Sequence, residues 1–254
     1  MAEICSARLE GCDPGSSTVL FEPREKPQLA RLYAADPGTA GSIALLLQVS
    51  LPCLLFGAPS LDPSTLRLRG GTNASQSPQV DYTLHVFLPF IRKHFGLAPA
   101  LEVVKRGYYP KGGGEVRVVL PAVPGPIPSV TLTHRGEVTA VHGRSYVAGL
   151  PKSLAESMRA AAIRTLGDAG IPADNVHIDA VRDKPAESVG SGSGIVLWAE
   201  TSEGCILGGS ALGRKGVDPS QVGCNAAREL VANLAHGGCV DEYMQVGTGA
   251  RSAL

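Results

Sequence analysis

Two glycine-rich strings hold most of the residues in this chain that could do chemistry. The first is Lys105-Arg106-Gly107-Tyr108-Tyr109-Pro110-Lys111-Gly112-Gly113-Gly114-Glu115. Consecutive glycines can turn backbone N–H groups toward an anion. Arg106 and Lys111 add positive charge, and Tyr108 and Tyr109 could stack on a base. The same residues also spell a hairpin loop whose glycines only permit an unusual backbone path. The string is not a Walker loop, because the Gly-x4-Gly-Lys-Ser/Thr pattern is missing. The second string runs from Arg69-Gly70-Gly71-Thr72-Asn73-Ala74 to Pro78-Gln79-Val80-Asp81-Tyr82. As a strand-to-helix turn it could offer helix N-terminal amides to a phosphate. Alternatively it is a tight turn with Asn73 or Ser75 as a helix cap.

Other candidates are more isolated. Gln48 is a lone amide in an apolar stretch, and if buried it must find hydrogen bonds. It is either a satisfied core glutamine or the wall of a pocket. Asp241-Glu242 could touch a metal or form an exposed acidic turn. The histidines are His85, His94, His134, His142, His177 and His236. None pairs with another His or a Cys at metal-ligand spacing, and there is no GxSxG elbow or HExxH. The six cysteines lack CxxC spacing, so free thiols in a reducing compartment are expected.

The elements that must position these residues alternate between helix and strand. Residues 17–21, 65–69, 101–105 and 115–120 read as strands, and 129–133 and 137–141 as further strands. An apolar helix is expected over 39–56. An amphipathic helix is expected over 78–95, with Leu84, Phe87, Leu88, Ile91 and Phe95 on one face. There Pro78 suits the first turn, Gly96 suits the position past the end, and Pro89 predicts a kink. A second α/β pattern follows. Ser153 and Glu156 match a capping box for a helix ending near Gly170. Strands are expected at 176–181, 195–200 and 205–209, a flexible loop at 188–194 and a last helix at 217–234. Residues 245–254 read as a frayed tail. The organisation expected is 1–143, then a smaller unit at 144–235, then 236–254.

Composition limits the function. The chain has 254 residues, 44% hydrophobic and 18% charged, which suits a packed core. Lys plus Arg total 23 and Asp plus Glu total 23, so a surface that coats long nucleic acid is disfavoured and a local contact is not. The N-terminus lacks the pattern of a signal peptide. The apolar stretch 43–56 is interrupted by Gln48, Ser50 and Pro52, so it reads as a buried core helix, not a membrane span.

Together these strings resemble the RNA 3'-terminal-phosphate cyclase family. The resemblance is carried by RGYYPKGGGEV at 106–116, RGGTNASQSPQVDYT at 69–83 and TAGSIALLLQVSLPCLLF at 39–56. ETSEGCILGGSALGRKGV at 200–217 and ANLAHGGCVDEY at 232–243 extend it. It runs from about residue 1 to 243, and Tyr108-Tyr109-Pro110-Lys111 favours the ATP-dependent cyclases over their nucleolar cyclase-like relatives. The fold it implies is α/β (α+β): repeated units of two helices on a four-stranded sheet, with a smaller α/β domain inserted. The reaction it implies moves AMP from ATP onto a histidine and then onto an RNA 3'-phosphate. The 2'-hydroxyl then attacks, leaving a 2',3'-cyclic phosphate. ATP and a divalent metal (Mg or Mn) are the implied cofactors, RNA 3' ends the partner, and nucleus or cytosol the location. Gln48, Pro78 and Tyr243 match the family's nucleotide-pocket positions. Family members also carry an early GEGGGQ-type segment, a basic pair, an Asp-Gln pair and the AMP-accepting histidine. Val246-Gly247 stands where Asp-Gln would be, and none of the six histidines matches. The expectation is therefore a chain truncated at both ends with little cyclase activity. A non-catalytic relative that binds RNA in ribosome biogenesis is the alternative.

Overall fold

The computed structural model describes residues 1–55, 62–121, 123 and 125–249. It has the expected mixed α/β class, built around two sheets. The first has the order β3-β4-β6-β5-β9. Its strands are β3 (Leu32–Ala35), β4 (Ser64–Gly70), β5 (Ala100–Gly107), β6 (Gly114–Leu120) and β9 (Ser188–Val189). β4 alternates: Leu66 and Leu68 point into the core, while Arg67 and Arg69 point out toward Glu115. α1 (Ile43–Leu55) covers this sheet, with Ser42 accepting from the Leu45 N–H at its start.

The second helix, α2, has three stretches: α-helical Val80–Tyr82, π-helical Thr83–Phe87 and α-helical Leu88–Phe95. The expected proline kink takes this form. Pro89 has no N–H to bond one turn back, and the wider turn, in which Leu88 N–H reaches the Thr83 carbonyl, accommodates it. Gly96 closes the helix with φ 66°, and Leu97 N–H reaches back to Ile91.

The second sheet has the order β11-β10-β7-β8. It comprises β7 (Val138–Ala148), β8 (Val176–Asp183), β10 (Gly192–Thr201) and β11 (Ile206–Leu212), with α3 (Lys152–Asp168) and α4 (Pro219–Ala235) on one face. β7 passes through Arg144, where the sequence set the start of the second unit. Tyr82 and Val86 from α2 press on Gly208 at the opposite face. His85 stacks on Trp198 at 4.2 Å, so the two sheets share a packed seam.

Several boundaries differ from the sequence reading. The strand at 17–21 is Leu20–Glu22 (β2), paired with the unforeseen β1 (Arg8–Glu10). β3 was also missed. Residues 129–133 are not a strand, because Leu132 packs on the core from an irregular segment. α2 starts after Gln79, leaving Pro78 outside it. The capping box is not used: Pro151 precedes α3 and no side chain caps it. The 188–194 segment, expected as a flexible loop, holds β9, which pairs with β5, and the start of β10, where Gly192 lies against the Tyr108 ring. A last helix, α5 (Glu242–Gly249), takes in the first half of the expected frayed tail; residues 250–254 lie outside the described ones, as does Phe56 at the end of the apolar stretch. All six cysteines are free thiols. Among the described residues no helix is long and apolar enough to cross a membrane.

Candidate functional site

The signature string forms the β5–β6 hairpin, and most of it is structural. A Cβ on Gly107 would stand 2.2 Å from the Gly114 nitrogen and 2.5 Å from the Gly70 carbonyl oxygen. Gly112 has φ +62°, and a Cβ there would stand 2.4 Å from the Thr39 carbonyl oxygen. Arg106 does not offer its charge to a ligand. It donates two 2.7 Å hydrogen bonds to Asp81, and Asp183 lies 3.7 Å away. Arg144 donates to Asp183 at 2.6 Å and lies 3.5 Å from Asp81. The Tyr146 ring lies against both guanidiniums, at 5.8 and 5.4 Å. Burial pushes Asp81 up, but the arginine charges and the Arg106 hydrogen bonds more than reverse this, leaving it below the ordinary carboxylate range. Burial works against the Arg106 cation, and Asp81 overcomes it, so Arg106 is more basic than a free arginine. Tyr108, only 3% exposed, donates to Asp183 at 2.9 Å and cannot stack on a base. Of the two tyrosines, only Tyr109 remains in water.

The second string also turns inward. The Asn73 amide donates to Gln79 and to the Tyr146 hydroxyl, and Tyr146 donates to Gln79 at 2.6 Å. Asn73 therefore caps no helix. Gln79 Nε2 reaches the carbonyls of Ile195 and Ala211, so this loop is anchored to the second sheet.

That anchoring shapes a cleft of about 410 Å³. Its walls include Ser77, Gln79, Ser210, Arg214, Asn225 and Tyr243. Pro78 sits between two lining residues and is half-buried, but is not itself part of the wall. Gln48 lies on the exposed side of α1 and does not line the cleft, so the buried amide considered from sequence is not what is found.

Tyr243 is held from behind. Its ring meets Tyr82 edge-on at 5.4 Å. Asp241 caps α5 by accepting from Met244 N–H at 2.9 Å, and it also accepts from Tyr82 Oη and Gly208 N–H, each at 2.6 Å. Asp241 is thus buried and not part of an exposed acidic turn, whereas its neighbour Glu242 is exposed. Burial raises its carboxyl against the pull of these donors. Nearby Glu229 accepts from Ser210 N–H at 3.2 Å and is pushed up to about 7, first by burial and then by Glu242 and Asp241. The arrangement suits a flat ring beside Tyr243, with hydroxyls, an amide and the Arg214 cation for polar or anionic groups.

Among the described residues no three of His, Cys, Asp and Glu converge as a metal site, so none is assigned to Mg or Mn. No histidine lines the cleft. Sequence reading missed the roles of Arg144, Asp183, Tyr146, Arg214 and Glu229. The available signal was Arg144, the one full charge in the long, mostly apolar β7; Asp183 gave none, since β8 also carries Asp179 and Arg182.

Comparison with known proteins shows the family. The sequence model of the RNA 3'-terminal phosphate cyclase family matches residues 1–248. The RNA 3'-terminal phosphate cyclase of Ignicoccus hospitalis is 39% identical over 249 residues, covering 96% of this chain and 67% of the relative. That of Pyrococcus furiosus is 36% identical, with the same two shares. The probable RNA 3'-terminal phosphate cyclase of Dictyostelium discoideum is 36% identical, covering 96% of this chain and 56% of its own length.

Proposed function

The chain belongs to the RNA 3'-terminal phosphate cyclase family, and on that premise we propose that its cleft takes the adenine nucleotide of an ATP-dependent RNA 3'-phosphate cyclisation. The observation that carries this is the meeting of Tyr243 with the 74–79 loop across one cleft, although 164 positions separate Tyr243 from Gln79 in sequence. The Tyr243 ring supplies a stacking face, and Gln79 and Asp241 hold the two walls still. Arg214 is the cation on the wall and faces the phosphates. In the reaction, a carrier side chain takes AMP from ATP as pyrophosphate leaves and passes it to an oxygen of the RNA 3'-phosphate; the adjoining 2'-hydroxyl oxygen then bonds to that phosphorus, its proton is lost and AMP leaves. Holding the hydroxyl next to its target makes the last step intramolecular.

In this reading the described residues build the nucleotide pocket and do not include the AMP acceptor, because no cleft-lining residue is a histidine. The test uses labelled ATP with the whole chain. Reversible binding is expected, with no AMP retained after denaturation. Tyr243→Ala should weaken binding about tenfold, the scale of one lost stacking contact. Unchanged affinity in that variant would remove the cleft from the proposal, and AMP retained covalently would overturn the absence of an acceptor. Gln48→Ala, run alongside, decides whether the exposed face of α1 belongs to the same site.

A further inference from the structure

We propose that Tyr109 and Lys111, at the tip of the β5–β6 hairpin, form a contact for an unpaired nucleotide of RNA, the Tyr109 ring stacking on the base and the Lys111 ammonium meeting an adjoining phosphate. The proposal rests on the reading of RNA as substrate and adds a second surface, away from the nucleotide cleft.

Three observations carry it. First, Tyr109 is 81% exposed, more than any other exposed large hydrophobic side chain, and has no ring or hydrogen-bond partner among the described residues. A turn here has no structural need for an aromatic in water, since its packing is done by Tyr108 and the glycines.

Second, the backbone that presents the ring is fixed from both sides. Gly112 N–H bonds to the Tyr108 carbonyl at 2.9 Å, and Tyr108 N–H bonds to the Val189 carbonyl at 3.0 Å. Beneath them the Arg106 and Tyr108 side chains are tied to Asp81 and Asp183. With the backbone held, binding has only the two side-chain torsions of Tyr109 left to order, a small cost for a stacking anchor.

Third, the charge is in place. Lys111 is exposed and makes no ion pair among the described residues. Two other cations of the same sheet, Arg67 and Arg69, are already held by Glu115 at 2.7 and 2.8 Å. Lys111 therefore supplies the uncommitted positive charge of the hairpin tip. One cation beside one exposed ring suits one or two nucleotides of a single strand, consistent with a chain whose net charge is zero.

The experiment is fluorescence anisotropy of a labelled single-stranded RNA ending in a 3'-phosphate, titrated with the whole chain at several salt concentrations. Tyr109→Ala should weaken binding about tenfold and Tyr109→Phe should restore it. Lys111→Gln should reduce the salt slope by about 0.7, the share of one phosphate contact on a single strand. The melting temperature of Tyr109→Ala should match wild type, because the ring buries little. Equal RNA affinity in wild type and Tyr109→Ala overturns the stacking role, and an unchanged slope in Lys111→Gln overturns the phosphate contact. A wild-type chain that binds ATP but not this RNA overturns the hairpin proposal and leaves the nucleotide cleft standing.

Discussion

Asp81 and Asp241 are almost equally buried, at 1% and 2% exposure, yet their carboxyls shift in opposite directions. Asp81 faces two guanidiniums. Asp241 faces a phenol and backbone N–H groups, with no cation. Burial disfavours both anions; at Asp81 the guanidinium charges and their hydrogen bonds reverse the penalty, while at Asp241 the phenol and backbone N–H groups only reduce it. The centres are linked through the chain, since Tyr82 follows Asp81 and its hydroxyl reaches Asp241. They do different jobs. The Asp81 centre ties the signature hairpin of the first sheet to β7 and β8 of the second. The Asp241 centre seats α5 against β11 and with it the Tyr243 ring at the cleft.

The most severe way to break this comparison is Asp81→Ala. It leaves Arg106 and Arg144 buried with Asp183 alone, and Arg144 Nη1 already lacks a hydrogen-bond partner. The expected loss is about 3–5 kcal/mol of unfolding free energy, the usual scale for removing one partner of a buried ion pair. Urea denaturation would measure it, and a loss under about 1 kcal/mol would mean the arginines relax into water and the sheets are held by apolar packing alone.

Asp241→Asn is a milder change. The shape survives, but one amide N–H must now face a backbone N–H or the Tyr82 hydroxyl. A loss of about 1–3 kcal/mol is expected. Because Tyr243 depends on this cap, ATP affinity should fall with it, even under conditions where the variant stays folded. An ATP affinity equal to wild type in the folded Asp241→Asn protein would show that Tyr82 alone positions Tyr243.

The contrast also shows what the sequence could reveal. The alternation in β4 and β6, the amphipathic face of α2 and the glycine past its end were legible, because each is local and periodic. The signature hairpin was legible as a hairpin. What Arg106 and Tyr108 do was not, since their partners Asp81 and Asp183 are 25 and 75 positions away in sequence. Asp241 looked like a surface acid because nothing nearby shows that Tyr82 and Gly208 will close over it. β9 was invisible for a similar reason: two residues carry no period, and only its partner β5 makes them a strand. The family resemblance named Pro78 and Tyr243, and the structure adds that the loop around Pro78 is anchored by Gln79, a residue with no distinctive signal of its own. Gln48 stood out as polar in an apolar helix, but its exposed position gives it a different meaning.

The smallest expected effect concerns Glu229, which extends the Asp241 side of the comparison. Its carboxyl is pushed up to about 7 from an ordinary 4.5 with no cation opposite it. A raised carboxyl means that the folded protein holds the proton more tightly than the unfolded chain. The associated stability is therefore present in full below about 4.5 and is lost as pH rises toward 7. Glu229→Gln removes the ionisation while keeping an acceptor for Ser210 N–H. It should match wild type at pH 4 and exceed it at pH 8 by about 1–2 kcal/mol, allowing for partial exposure to water. Asp81 runs the other way: its depressed carboxyl contributes above the unfolded value and is lost as pH falls through the folded one. Unfolding measured across pH 4–8 would read the Glu229 difference directly. A gap between Glu229→Gln and wild type that does not change with pH would show that Glu229 titrates as an ordinary surface acid, and the cation-free side of the molecule would then rest on Asp241 alone.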